Sequence, residues 1–190
     1  MNRIYLIRHA KPSAVWGGGD DDPGLDEAGR AQAAAAAEAL LALPAEFRPT
    51  RVVSSPLRRC RETAMPFADS VGATIEIEPA VGEIPTPAKL AASGRGEWLR
   101  RVFAGRWSEI EGDLDYEAWR RQVTQAVASR PGAAIFSHFV AINAVLTALS
   151  GEAQVLSMRP DHAAIFTFEL AGAGALRLVE RGREAATTVL

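Results

Sequence analysis

What this chain lacks narrows its chemistry before any motif is read. Its 190 residues include one cysteine, Cys60. No internal disulfide can form, and a reducing cytoplasm is the expected compartment. Basic residues hold no excess: 21 Lys+Arg stand against 23 Asp+Glu, for a formal net charge of −2. That balance gives no ground for nucleic acid or an anionic membrane as a general partner, so any anion site must be a local cluster of arginines. No apolar run approaches the roughly 18 residues of a membrane helix. Arg8, His9 and Lys11 interrupt the N-terminal segment where a signal peptide would be apolar. The chain shows neither an internal repeat nor a domain linker. Gly17 to Gly24, GGGDDDPG, lacks the alternating spacing of a calcium loop and reads as a solvated surface loop.

What is present is enough apolar material, 48% of the residues, for one globular domain spanning 1–190. Three stretches repeat one design: a short apolar run, polar residues at its end, then a helical pattern. IYLIRH leads through a loop to LDEAGRAQAAAAAEALLAL, with Asp26 as N-cap and alanines of high helix propensity. RVVSSPLRRCRETA follows, with Ser55 as the expected cap and Pro56 at the first helical position. AAIFSHFVAINAVLTAL is the third and stops near Gly151. Such units imply an α/β fold with a mostly parallel sheet. TIEIEP reads as a half-exposed strand, DLDYEAWRRQVTQAVASRPG as an amphipathic helix, and AAIFTFEL with ALRLVE as a hairpin around AGAG. The closing AATTVL reads as frayed. Residues 85–112, rich in proline and glycine with Trp98 and Trp107, read as a cap or lid inserted over the site.

In parallel sheets ligands bind beyond the carboxyl ends of the strands. Arg8-His9, Ser54-Ser55 with the arginines behind them, and Ser137-His138 all fall at such ends, which points to one site. If its ligand is a phosphoryl group, three parts are needed. Arginines meet the equatorial oxygens bidentately, an imidazole serves as nucleophile, and a carboxylic acid of raised pKa protonates the leaving oxygen. Acid candidates are Glu62, Glu76, Glu78 and Glu83. Glu62 belongs to a helix, and Glu76 and Glu78 have strand spacing. Glu83, in the loop AVGEIPTP, is free to point into the site. Arg58 and Arg61 read as solvated or paired helix faces, and Cys60 reads as packing rather than as a thiolate nucleophile. Lys11 either steers anions or is simply exposed. His162 reads as a structural or supporting residue, and Trp98, Trp107 and Trp119 as core and lid packing.

Four motifs in order, LIRHAKP, LDEAGRAQA, SSPLRRCRETA and AAIFSHFVAINAVL, resemble the histidine phosphatase superfamily, the phosphoglycerate mutase-like proteins, over nearly the whole chain. The resemblance implies a three-layer α/β/α sandwich. It also implies a metal-independent phosphoric monoester hydrolase working through a phosphohistidine. By it His9 is the nucleophile, Arg8, Arg59 and His138 bind the phosphoryl group, and Glu83 protonates the leaving oxygen. It selects Arg59 over Arg58. No cofactor is implied, and the partner is a small phosphorylated substrate. The sequence departs from the family pattern at Phe139, where glycine is usual after the second histidine, and in the acid loop GEIPTP.

Other readings differ at named features. Phosphoglycerate mutase-type transfer calls for a different stretch after the first histidine than RHAKPSAVW, and for an extended acid loop absent here. Dephosphorylation of phosphohistidine or another phosphoprotein is compatible with Ala10. A zinc site on His9, His138 and Glu83 has suitable ligands, but the two arginines aimed at one point oppose a cation. The last alternative is a non-catalytic module that binds a phospholigand. The sequence names neither the substrate nor the oligomeric state.

Overall fold

The computed structural model describes residues 2–14 and 22–186. Residues 17–21 of the glycine-aspartate loop and the terminal 187–190 lie outside the described residues. Among those described, six strands form one sheet in the order β3-β2-β4-β1-β5-β6. The strands are β1 (Arg3–Arg8), β2 (Arg51–Ser54), β3 (Ile75–Ile77), β4 (Ala133–Ser137), β5 (Ile165–Leu170) and β6 (Leu176–Glu180). Pairings β1–β4, β2–β4 and β2–β3 are parallel; β1–β5 and β5–β6 are antiparallel. The mostly parallel sheet and the C-terminal hairpin expected from the sequence are both present.

Alternation along the central strands builds three layers. Ile4 and Leu6 of β1, Val53 of β2, and Ala133 and Ile135 of β4 face one core. The intervening Tyr5, Ile7, Val52, Ala134 and Phe136 face the other. Helices α1 (Glu27–Leu41) and α2 (Arg58–Val71) cover the second face. Helices α3 (Arg95–Ala104), α4 (Tyr116–Ala128) and α5 (Phe139–Ser150) cover the first. Because β1 and β4 are buried on both faces, they read as continuous apolar runs rather than alternating ones.

Local signals set the helix ends. The Asp26 carboxylate accepts from the Gly29 amide at 2.6 Å and starts α1. Gly72 ends α2 at φ +64°, and Gly151 ends α5 at φ +74°, a conformation that costs glycine little. The start of α2 differs from the sequence expectation. The helix begins at Arg58 with Leu57 as N-cap and no side-chain cap bond, two residues after Pro56. Ser55 Oγ accepts from the Leu57 amide at 3.4 Å, in the turn before α2, and lies 2.7 Å from His138 Nε2, so the group that local propensity assigned to the helix is shared with the site.

Segment 85–112 is neither featureless nor exposed throughout. It carries α3, and Trp98, Leu99, Val102 and Trp107 are buried against the α4–α5 side of the sheet. Trp119 packs on the Trp107 ring with centroids 5.9 Å apart. The tryptophans are therefore packing residues, as the sequence reading has them.

Candidate active site

The carboxyl ends of β1, β2 and β4 lie side by side in register, with Arg8 opposite Ser137 and Ser54 opposite Phe136. The residues after those ends enter one space. His9 and His138 ring centroids are 5.3 Å apart. Arg59 Nη2 reaches His138 Nδ1 at 3.3 Å, and a Glu83 carboxyl oxygen lies 3.6 Å from the same nitrogen. Arg8 joins them through its charge, which acts on both histidines and on Glu83. All five residues singled out in the sequence, Arg8, His9, Arg59, Glu83 and His138, are thus brought together. The other acids are engaged elsewhere. Glu76 binds Arg51 at 2.8 Å, Glu78 binds Arg130, and Glu62 takes the Leu25 amide and Arg58 Nε.

The loop after β1 is held by the motif residues around it. Thr63 Oγ1 accepts from the Ala10 amide at 2.9 Å and donates to the Arg59 carbonyl at 2.6 Å, tying the His9 loop to the Arg59 turn. Gln32 accepts the Lys11 amide. A side chain at Gly29 would sit 2.1 Å from the Lys11 carbonyl oxygen, so α1 can approach this loop only with glycine there. The glycine and glutamine of LDEAGRAQA therefore serve the placement of His9. Lys11 itself is half exposed and pairs with Asp26 at 2.8 Å.

The hydrogen bonds define which nitrogen can react. His9 Nδ1 lies 2.8 Å from the Ala10 carbonyl, which can only accept, so Nδ1 carries the proton and Nε2 keeps its lone pair. Burial, then the charges of His138, Arg8 and Arg59, hold the His9 pKa well below the usual imidazole value. The ring is neutral at neutral pH. On His138, Nδ1 accepts from the Arg59 guanidinium, which has only donors. Nε2–H then donates to Ser55 Oγ, with Cys60 Sγ alongside at 3.3 Å. Burial and the charges of Arg59, Arg8 and Arg95 lower this pKa as well.

Glu83 is shifted the other way. Its buried side chain raises its pKa through desolvation, against the opposing pull of Arg59, Arg95 and Arg8 and the Ile84 amide. Its Oε2 is buried and makes no hydrogen bond among the described residues. The 3.6 Å contact with His138 is accordingly one with a neutral ring, rather than an ion pair. Arg8 keeps its charge although burial lowers its pKa to about 10. It donates to the Pro160 carbonyl at 2.8 Å, and its guanidinium carbon lies 5.1 Å from the Phe139 ring centroid. Phe139 therefore braces Arg8. Cys60 is packing, as expected, because burial pushes its thiol well above the usual range.

Four residues to which sequence reasoning gave no part in the chemistry also reach the site. Ser55 was legible as a strand-end residue and as a cap. Thr63 lay inside a motif with no stated task. His162 sits 6.0 Å from His9, ring centroid to ring centroid, with its pKa lowered to about 4, chiefly by burial. Arg95 comes from α3, in a segment that carries no readable pattern. Among the described residues, no set of three or more His, Cys, Asp or Glu side chains is arranged to hold a metal ion. No described helix is long and apolar enough to cross a membrane.

The family model of the histidine phosphatase superfamily, branch 1, matches residues 4–182. The chain belongs to that superfamily. Glucosyl-3-phosphoglycerate phosphatase of Mycobacterium tuberculosis is 30% identical over 129 residues, which cover 65% of this chain and 50% of that protein. The chain thus spans about half the length of the curated relatives it matches. Among solved structures, a mycobacterial glucosyl-3-phosphoglycerate phosphatase is similar with a TM-score of 0.70 at 24% identity, covering 93% of this chain and 96% of that one. A phosphoserine phosphatase from Entamoeba histolytica reaches 0.73 at 18% identity, covering 96% and 98%. These likenesses agree with the phosphoglycerate mutase-like fold described above.

Proposed function

We propose that this protein is a metal-independent phosphatase that hydrolyses a small phosphomonoester through a phosphohistidine on His9. The observation that carries the proposal is the protonation pattern: a neutral imidazole with Nε2 unprotonated stands in one space with a carboxyl whose pKa is raised. A nucleophile and an acid displaced in opposite directions are what a two-step displacement requires.

In the first step the Nε2 lone pair of His9 attacks phosphorus. The P–O ester bond breaks, and the departing oxygen takes the proton of Glu83. In the second step the Glu83 carboxylate removes a proton from water, the resulting oxygen attacks phosphorus, and the P–N bond returns its electron pair to His9. Arg8 and Arg59 supply the donors for the equatorial oxygens, where charge gathers in both steps. A bound dianion also raises the basicity of His138, whose Nδ1 edge faces the Arg59 fork. Ser55 and Thr63 keep His138 and the His9 loop in place. His9, His138, Arg8 and Arg59 are 2%, 0%, 4% and 8% exposed, so water is largely excluded where the charge forms.

Turnover of an aryl phosphate by purified protein in the presence of chelator, beside His9→Ala, tests the reading. Metal-independent release of phosphate by the wild type, lost in the variant, with an acid-labile phosphoprotein trapped by rapid quench, is the expected result. Undiminished turnover by His9→Ala overturns the nucleophile assignment. Activity that chelator abolishes overturns the metal-independent mechanism.

A further inference from the structure

The chain has three histidines, and the one without a task so far stands beside the nucleophile. The His162 ring is centred 6.0 Å from that of His9 and tilted by 50° to it. It is carried by the turn before β5, which is bonded to the residues at the end of β1. Arg8 Nη1 donates to the Pro160 carbonyl at 2.8 Å, the Arg8 amide to the Ala164 carbonyl at 3.1 Å, and the Ala163 amide to the His9 carbonyl at 3.4 Å. Asp161 Oδ1 takes the His162 amide at 2.8 Å. Ala163, the next residue, lies at φ +56°, a left-handed conformation unfavourable to any residue with a Cβ. It shares a small core with Ala10, which follows His9, and with Ala33 and Ala36 of α1. Contacts to the His9 loop therefore hold the strained turn, and the turn so held sets the His162 ring against His9.

A count of N–H groups shows what this ring can add. His9 gives its Nδ1 proton to the Ala10 carbonyl, and its Nε2 is the nucleophile. His138 accepts from Arg59 at Nδ1 and gives its Nε2 proton to Ser55. In their neutral forms neither ring has an N–H left for a ligand. The His162 ring nitrogens, by contrast, have no hydrogen-bond partner among the described residues. The ring is half-buried, so a ligand can reach it. Burial, then the charge of Arg8, lowers its pKa to about 4, which leaves one N–H and one lone pair at neutral pH. The equatorial oxygens of a reacting phosphoryl group spread sideways from the axis that starts at His9 Nε2. A donor beside the His9 ring meets those oxygens, whereas the leaving oxygen lies along the axis.

We propose that His162 is a further substrate-binding residue, whose ring N–H donates to an equatorial oxygen of the phosphoryl group held on Arg8 and Arg59. The proposal rests on the phosphatase reading of the same site. It adds a donor that recognises the phosphoryl group itself and is indifferent to the alcohol that leaves.

The test measures inhibition by inorganic phosphate, and kcat/KM for an aryl and an alkyl phosphate, in wild type, His162→Phe, His162→Asn and His162→Gln. Phenylalanine keeps a ring without an N–H; asparagine and glutamine keep an N–H without the ring. His162→Phe should weaken phosphate binding about tenfold, the worth of one hydrogen bond to a charged group, and lower kcat/KM for both esters by the same factor. His162→Asn or His162→Gln should recover part of the loss. Unchanged phosphate inhibition in His162→Phe overturns the proposal. So does a loss confined to one ester, which would place the ring against the leaving group, and so do equal losses in all three variants, which would make the ring a packing element. If an aryl phosphate is cleaved in a His9-dependent way while any of these results holds, only the His162 assignment falls. If wild-type protein neither cleaves a phosphate ester nor binds inorganic phosphate, the phosphatase reading falls and takes this one with it.

Discussion

At the scale of single residues, the site is a problem of placing protons. In the proposed mechanism His9 keeps Nε2 bare and Glu83 holds a proton, and burial and one carbonyl push both groups in that direction. Burial moves an acid and a base in opposite directions, because each loses solvation of its charged form. Two predictions belong here. Glu83→Gln should reduce kcat by about a hundredfold or more for an alkyl phosphate and by much less for an aryl phosphate, whose leaving oxygen needs no proton. Steady-state rates on the two ester classes check it; equal losses would remove the general-acid role. The pH profile of kcat/KM should have an acidic limb below the usual imidazole pKa, since His9 is shifted down. Its alkaline limb should lie above the usual carboxyl pKa, since Glu83 is shifted up and must stay protonated. That alkaline limb should disappear in Glu83→Gln.

At the scale of elements, the strand ends and helix starts hold one another across the sheet. Ser55 at the end of β2 accepts from His138 at the end of β4, and Thr63 in α2 holds the loop after β1. Ser55→Ala should therefore leave the fold intact and lower kcat about tenfold, with KM little changed, by freeing the His138 ring. A larger effect on KM than on kcat would mean that the ring's placement serves binding instead. Phe139 opens α5, is 5% exposed, and touches both Arg8 and the Phe103 ring of α3. Phe139→Ala should cost about 3–5 kcal/mol in denaturant unfolding, as large-to-small changes of buried aromatics do. Phe139→Leu should cost far less.

At the scale of the whole molecule, three histidines are held neutral in one region. His9 and His138 lie well below the ordinary imidazole pKa, and His162 lies at about 4. The unfolded chain takes up these protons as pH falls through about 6.5, whereas the folded protein does not. Unfolding therefore binds protons in that window, and stability must drop as pH falls from about 6.5 toward 4. Glu83 acts with the opposite sign: its raised pKa costs stability as pH rises above the usual carboxyl value. Thermal melts across pH 4 to pH 7 should show Tm climbing with pH over the lower part of that range. Vanadate or inorganic phosphate should raise Tm by binding only the folded protein. Indifference to both would count against an arginine-lined anion site.

The sequence by itself determined what depends on short-range order. Apolar runs ending in Arg8-His9 and Ser137-His138 could only be strands delivering polar groups to the carboxyl edge of a parallel sheet. Asp26, Gly72 and Gly151 mark helix ends by backbone chemistry that needs no distant partner. Glu83 was legible because strand and helix patterns used up the other acids. Tertiary structure alone decided whatever depends on two distant segments meeting. Ser55 had local reason to cap α2 and was drawn to His138, 83 residues away. His162 lies 153 residues from His9 in sequence, and its ring still comes within 6.0 Å. Arg95 had no pattern around it, since its position follows from how α3 packs against the core beside Ile84 and Phe139. Periodicity records which face of an element is buried. It does not record which side chain from another element is waiting there.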